Sequence, residues 1–323
     1  MSPRILLTTT SFQDTPGKHH DVLNNSGFEV VRQRGPLSEA QMLELVQSGG
    51  GFDGLLNGDD QITARVIDAA LPRLKVIAKY GIGLDSIDVK HATERRIPVL
   101  FTPGVNETTV AEHTYGLMIA VAKNFWFHLR AVKAGEWKRK TGIELFGKTL
   151  GVVGLGRIGK EMVKRAGGFG MTCIGFGHHW DDQFAAQYKL ERMPTVEDLL
   201  RRADIVSLHS NLTPQTRGMI NKNTIALMKD RAILINTGRG GLVVEQDIVD
   251  ACKSGKLWGY GADVLDVEPM KVPHPFQDVD NILVTPHIGS RTYESVQRQG
   301  LRAVNNLVNF LNGNPDYIQA NKF

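Results

Sequence analysis

Three polar residues in the second half of the sequence have the types and settings to act together on a carbonyl group. Arg239 lies in Asn236-Thr237-Gly238-Arg239-Gly240, just beyond an apolar run. Glu268 lies in Asp263-Val264-Leu265-Asp266-Val267-Glu268-Pro269, and His287 in Thr285-Pro286-His287-Ile288-Gly289. Gly or Pro stands beside each, so each is expected on a turn rather than along a helix face. Singly, each has an ordinary explanation: a surface ion pair for the arginine, a structural role for a lone histidine. Together they suit the reduction of a 2-keto acid. A guanidinium holds a carboxylate through paired hydrogen bonds. An imidazole delivers a proton to the forming alkoxide near neutral pH. A carboxylate beside that imidazole favours its charged form and fixes its orientation.

A second feature binds rather than reacts. Gly154-Leu155-Gly156-Arg157-Ile158-Gly159 is a G-x-G-x-x-G. With 34 glycines in the chain the pattern alone is weak, and a plain strand–turn–helix junction would produce it. Its context is stronger: it follows Leu150-Gly151-Val152-Val153 and opens a helical pattern through Met162, Val163 and Ala166. That is the arrangement in which backbone N–H groups and a helix N-terminus receive a dinucleotide pyrophosphate. The next strand should end in an acidic residue for the adenosine ribose. Here it runs Thr172-Cys173-Ile174-Gly175-Phe176 and ends at Gly177-His178-His179. The missing carboxylate removes repulsion against a 2′-phosphate, and imidazoles such as His178 can contact one, which favours NADP or dual use over NAD. No Arg follows the strand, however, and the alternative is that Asp181 reaches the ribose from the loop.

The elements that must position these residues are legible in the apolar pattern. Residues 4–9, 29–32, 54–56, 75–78 and 98–101 read as buried strands. Helix-like stretches lie between them, such as 38–47 with Ser38 as N-cap. A longer helix pattern runs from 107 to about 129. A second strand–helix series then begins at 149, with strands near 172–176, 205–208, 232–236, 259–264 and 282–285, and a final helix over about 293–311. Strands alternating with helices argue for parallel sheets covered on both faces. At 323 residues two domains are expected. Net charge is +4 and the only short basic run is Lys138-Arg139-Lys140, so a nucleic-acid partner is not expected. Two cysteines, neither in a CxxC pair, argue against a disulfide scaffold or a zinc cluster, and no metal is expected. No leader or apolar run of spanning length is seen, so a cytoplasmic protein with no membrane partner is expected.

The sequence resembles the D-isomer-specific 2-hydroxyacid dehydrogenase family, which includes phosphoglycerate dehydrogenases and glyoxylate/hydroxypyruvate reductases. The matching segments span nearly the whole chain: Tyr80-Gly81-Ile82-Gly83-Leu84-Asp85-Ser86-Ile87-Asp88, Val110-Ala111-Glu112-His113, the glycine turn, Leu208-His209, Leu212-Thr213-Pro214, Thr216-Arg217-Gly218, and the Arg239, Glu268 and His287 segments. The resemblance implies an NAD(P)-dependent enzyme interconverting a small D-2-hydroxy acid and its 2-keto acid. Arg239 would bind the substrate carboxylate, His287 would be the acid or base, and Glu268 would support it. Ile82 and Gly83 would help hold the carboxylate through their amides. Arg157 and Ile158 would meet the pyrophosphate. Thr237 and Asp263 would approach the nicotinamide, with Gly289 beside it.

The implied fold is α/β, with a Rossmann cofactor domain (residues 107–287) inserted into a flavodoxin-like substrate-binding domain (1–106 and 288–323), both doubly wound parallel sheets. A homodimer through the inserted domain is also implied, with Phe125, Trp126 and Phe127 as contributors. Asn57, Lys79, Tyr80 and the surroundings of Trp137 are expected to read the substrate side chain as loops of the first domain, although Lys79 itself is expected to be solvated. Asn211 and Gly177 depart from the family pattern near the expected adenosine pocket. The chain ends at Phe323, so the regulatory domain of some phosphoglycerate dehydrogenases is not expected. Two other readings belong to different classes: an NAD(P)H-sensing corepressor-like binding protein, and a phosphite or formate dehydrogenase. Ile82, where phosphite enzymes carry Lys, and the presence of Glu268, which formate enzymes lack, disfavour the latter.

Overall fold

The computed structural model describes residues 2–323, and in it the apolar runs become parallel strands of two sheets, one in each of two units. The chain up to Asn106, together with Arg291–Phe323, forms the first unit; Glu107–Ser290 forms the second.

The first unit contains β1 (Arg4–Leu7), β2 (Glu29–Arg32), β3 (Gly54–Asn57), β4 (Val76–Lys79) and β5 (Val99–Leu100), ordered β2-β1-β3-β4-β5. This is the flavodoxin-type order, in which the winding reverses between β1 and β3. All four residues of β3 and of β4 are buried, as unbroken apolar runs at the centre of a covered sheet should be. Leu6, Phe52, Leu55 and Ile77 face one apolar layer, and Ile5, Leu7, Leu56 and Val76 the other. The final helix, Tyr293–Leu311, belongs to this unit because Val296, Ala303, Val304 and Leu307 fall on one face and close the second layer. Ser38 caps Glu39–Gln47 in a reciprocal arrangement with Gln41, as its position in the sequence suggests.

At the reversal point of this sheet the chain supplies an anion of its own. Asp60 is fully buried. Its carboxylate accepts from the Thr8 hydroxyl (2.5 Å) and from the amides of Leu37 (2.8 Å) and Gly58 (3.0 Å). The backbone crowds this carboxylate: a side chain at Gly35 would begin 2.4 Å from Asp60 Oδ1.

The second unit contains β6 (Thr149–Val153), β7 (Thr172–Phe176), β8 (Glu191–Arg192), β9 (Ile205–Leu208), β10 (Ala232–Asn236), β11 (Leu257–Ala262) and β12 (Ile282–Val284). Their order, β12-β11-β10-β9-β6-β7-β8, is the Rossmann order with a seventh strand, reversing between β9 and β6. Helix Glu107–Ala122 buries Ala111, Leu117, Met118 and Val121 on one face of this sheet. Cys173 and Cys252 are both buried and unpaired, and burial pushes each thiol up to about 12.

Three details differ from the sequence-based expectations. The helix expected over 107–129 ends at Ala122, because Asn124 takes a left-handed backbone (φ 52°), and a separate helix Phe125–Lys133 follows. The return to the first unit falls after Ser290 rather than after His287, because the amides of Ile288 and Gly289 are bonded to the Asp263 carboxylate. Trp137 lies in the second unit, where it is 80% exposed, and is not a loop of the first. Among the described residues no helix is long and apolar enough to cross a membrane.

Candidate active site

The glycine turn sits at the end of β6, beside the reversal point of the second sheet. Its three glycines serve different needs. Gly154 has φ 97°, and a side chain there would begin 2.7 Å from the His209–Ser210 peptide. Gly159 packs against the turn itself, a Cβ falling 2.0 Å from the Gly154 carbonyl oxygen. At Gly156 nothing lies within 4 Å of a Cβ. The first and third glycines are therefore demanded by the fold, while the middle one faces open space before the amides that start helix Arg157–Ala166. Gly156 provides no side-chain cap for these amides. Such a cradle fits the pyrophosphate of a dinucleotide, through backbone donors and the helix N-terminus. Behind it, burial pushes the His209 imidazole down to about 3, so it adds no positive charge; one ring nitrogen meets the Ser207 hydroxyl at 2.8 Å.

Gly177 follows β7, where a Cβ would fall 3.3 Å from Leu155 of the turn, and His178 and His179 are exposed. Asp181, the alternative ribose ligand, has other partners. It caps helix Asp182–Tyr188 by accepting from Phe184 N (3.0 Å) and pairs with Lys160 Nζ (2.5 Å). The Lys160 hydrogen bond holds its carboxyl below the usual range.

The three residues with reactive side chains occupy loops after neighbouring strands β10, β11 and β12. His287 and Glu268 meet directly: imidazole Nδ1 lies 2.7 Å from Glu268 Oε2. Glu268 Oε1 accepts from the Leu265 amide (2.9 Å), which aims the carboxylate. A carboxylate on Nδ1 fixes the orientation of the ring. Arg239 follows β10 on extended backbone, and its guanidinium donates to the Gly238 carbonyl (2.8 Å). Its loop is pressed onto the loop bearing Glu268, since a Cβ at Gly240 would fall 1.9 Å from the Leu265 carbonyl carbon. Thr237 is buried, its hydroxyl 2.8 Å from that of Thr114.

The buried Asp263 turns its carboxylate toward the loop that carries His287. Oδ1 accepts from the Thr285 hydroxyl (2.6 Å) and the Ile288 amide (2.9 Å), and Oδ2 from the Gly289 amide (2.7 Å). The His287 amide donates to the Asp263 carbonyl (2.9 Å). Burial alone raises the Asp263 carboxyl, but the hydrogen bonds from His113, Thr285 and Ile288 outweigh it and leave it lowered. His113 is a site residue that the sequence reading does not assign. The signal available was a histidine on the same helix face as the buried Val110 and Leu117.

In the first unit, the loop with Ile82 and Gly83 follows β4. Gly81, with φ 137°, is tied on both sides to Thr102: its amide donates to the hydroxyl (3.1 Å) and its carbonyl accepts from the Thr102 amide (3.0 Å). Among the described residues the amides of Ile82 and Gly83 have no acceptor. Lys79 departs from expectation: it is not solvated but 3% exposed. Its ammonium is bonded to Asp59 Oδ1 and the Gly58 carbonyl, each at 2.6 Å. The aliphatic stem explains the burial, its Cε lying 3.3 Å from where a side chain at Gly81 would begin. Asn57 is buried and Tyr80 nearly so. Among the described residues no group of three or more His, Cys, Asp or Glu is arranged to hold a metal.

Residues 115–289 match the model of the D-isomer specific 2-hydroxyacid dehydrogenase NAD-binding domain. Over 91% of its length the chain is 40% identical to a D-3-phosphoglycerate dehydrogenase of Methanocaldococcus jannaschii, of which it spans 57%. It is also 40% identical to a hydroxypyruvate reductase of Thermotoga maritima, over 88% of this chain and 91% of that one. Among solved structures it resembles the TT0316 protein of Thermus thermophilus, with a TM-score of 0.88, 38% identity, and coverage of 98% of this chain and all of that one.

Proposed function

The chain belongs to the D-isomer-specific 2-hydroxyacid dehydrogenase family, and on that footing we propose that it interconverts a small D-2-hydroxy acid and its 2-keto acid with a nicotinamide dinucleotide. The observation that carries this reading is the His287–Glu268 pair, held on strand-end loops along the same sheet edge as an open glycine turn. When bound, the nicotinamide gives or takes the hydride. His287 Nε2 supplies the proton in reduction and removes it in oxidation, while Glu268 stabilises the protonated ring and keeps its tautomer. Arg239 binds the substrate carboxylate and polarises the adjacent carbonyl; in the first unit we assign the amides of Ile82 and Gly83 to substrate binding. We assign substrate binding to the first unit and the cofactor to the second. Gly154, Gly156, Arg157, Ile158 and Gly159 cradle the pyrophosphate, and Thr237 and Gly289 lie toward the nicotinamide, Asp263 shaping that side of the site through Gly289.

For the adenosine end we favour NADP or dual use: no carboxylate follows β7, Asp181 is committed to Lys160 and Phe184, and His178 is exposed. For the substrate side chain we favour a small group without a second negative charge, of the hydroxypyruvate or glyoxylate kind. Lys79, the cation beside the Gly81 loop, is already paired with Asp59 and so offers no spare charge for a phosphate. The half-exposed Phe125 and Trp126 and the exposed Leu129 and Val132 on helix Phe125–Lys133 support a homodimer, and the two buried thiols suit the cytoplasm. The test follows cofactor absorbance with NADH and NADPH against glyoxylate, hydroxypyruvate and 3-phosphohydroxypyruvate. Turnover of at least one keto acid is expected. Cofactor binding without any turnover would favour a nucleotide-sensing role, and a preference for NADH above about tenfold would reverse the cofactor assignment.

A further inference from the structure

We propose that His113 is a positioning residue for the acid–base histidine: through Thr285 and Asp263 it fixes the backbone of residues 287–289 in the shape that presents His287 to Glu268. This rests on the acid–base role given to His287 above.

His287 has φ 51°, a left-handed conformation that a non-glycine residue rarely adopts. Something must hold it there. Three successive amides do so by converging on one residue: His287 N on the Asp263 carbonyl, Ile288 N and Gly289 N on the Asp263 carboxylate. The shape of the loop therefore depends on where that carboxylate points.

Proton accounting shows what orients it. The Thr285 hydroxyl has one proton and lies 2.6 Å from Asp263 Oδ1. That carboxylate has no proton to give, so the hydroxyl donates to it and must accept at its other close contact, His113 Nε2, at 2.9 Å. His113 therefore carries its proton on Nε2, and the same nitrogen lies 3.3 Å from Asp263 Oδ1. The chain runs His113 to Thr285 to Asp263 to the amides of 288 and 289. The ring also walls in the loop, since a Cβ at Gly289 would begin 3.5 Å from His113 Cδ2. Asp263 faces His113 from beyond β11, Glu268 faces His287, and the neighbouring Glu112 lies toward Arg165, 3.9 Å away.

A histidine that merely filled the core would affect stability alone, so the test reads the pH dependence of kcat/KM beside kcat, KM and Tm. His113→Gln keeps an N–H donor of similar reach; His113→Leu keeps bulk without a donor; Thr285→Val removes the intervening hydroxyl. In His113→Leu and Thr285→Val, kcat is expected to fall on the order of 10- to 100-fold. The acid–base midpoint should move with it. His113→Gln should stay within about threefold of wild type and keep the midpoint. A His113→Leu protein with wild-type kcat and midpoint would overturn the proposal, as would His113→Gln impaired as badly as His113→Leu. If His113→Leu does not fold, Thr285→Val decides on the same criteria. Absence of keto-acid turnover in the wild type would sink the underlying function instead, so the two failures are distinct.

Discussion

The two units are wound on the same plan, yet their sheets treat the reversal point in opposite ways. In the first, between β1 and β3, the protein's own anion occupies it: the Asp60 carboxylate takes up the Leu37 and Gly58 amides and the Thr8 hydroxyl. In the second, between β6 and β9, the equivalent place carries no such side chain and lies before Gly156 and the first amides of a helix. A doubly wound sheet thus offers an anion site by virtue of its topology, and a single side chain decides whether a ligand or the protein fills it. The chemistry gathers on the side the protein does not fill. Arg239, Glu268 and His287 follow β10, β11 and β12 of the second sheet, whereas in the first sheet Asp60 takes up the polar groups of Thr8, Leu37 and Gly58.

The largest effect should come from the open crevice. His287→Ala should lower kcat by about 10²–10⁴-fold; retained turnover in steady-state assays would break the contrast at its centre. Next, Asp60→Ala leaves the Leu37 and Gly58 amides and the Thr8 hydroxyl without their acceptor. Stability should fall by about 2–5 kcal/mol in denaturant unfolding, with cofactor Kd unchanged. A stable Asp60→Ala protein would mean that the plug is incidental. Gly156→Ala should do the reverse: with nothing within 4 Å of the new methyl, Tm should hold while cofactor affinity weakens on the order of tenfold by titration calorimetry. The smallest effect is expected at the edge of the filled side. Asp59→Asn releases Lys79, so kcat/KM for 3-phosphohydroxypyruvate should rise about three- to tenfold relative to hydroxypyruvate. An unchanged ratio would detach Lys79 from substrate choice.

What the sequence disclosed and what it hid have a common cause. Gly154 and Gly159 were legible because local backbone geometry dictates their type, and the pattern survives in any context that uses it. The sheets were legible because buried parallel strands need unbroken apolar runs. The loops of Arg239, Glu268 and His287 were legible because turn residues mark strand ends. Lys79 was not: an ammonium after an apolar strand reads as solvated unless one knows that Asp59 waits beside it. Nothing in the sequence marks Asp60, because only the assembled sheet brings Thr8 and Leu37 to it. The His113–Thr285 contact joins residues 172 positions apart, beyond any periodicity a sequence displays. The helix break at Asn124 was missed because its apolar spacing continues on both sides.

The placement of the sulfur atoms has a practical consequence. Both thiols of the chain lie in the second unit, buried and held protonated far above neutral pH, and alkylating reagents attack only the thiolate. In the native protein they are silent. They become reactive when the layers around the Rossmann sheet open, and nothing in the first unit can contribute to that signal. Pulse labelling thus reports the opening of one half of the molecule alone, and ligand protection measured this way would count only stabilisation that reaches the nucleotide-binding half.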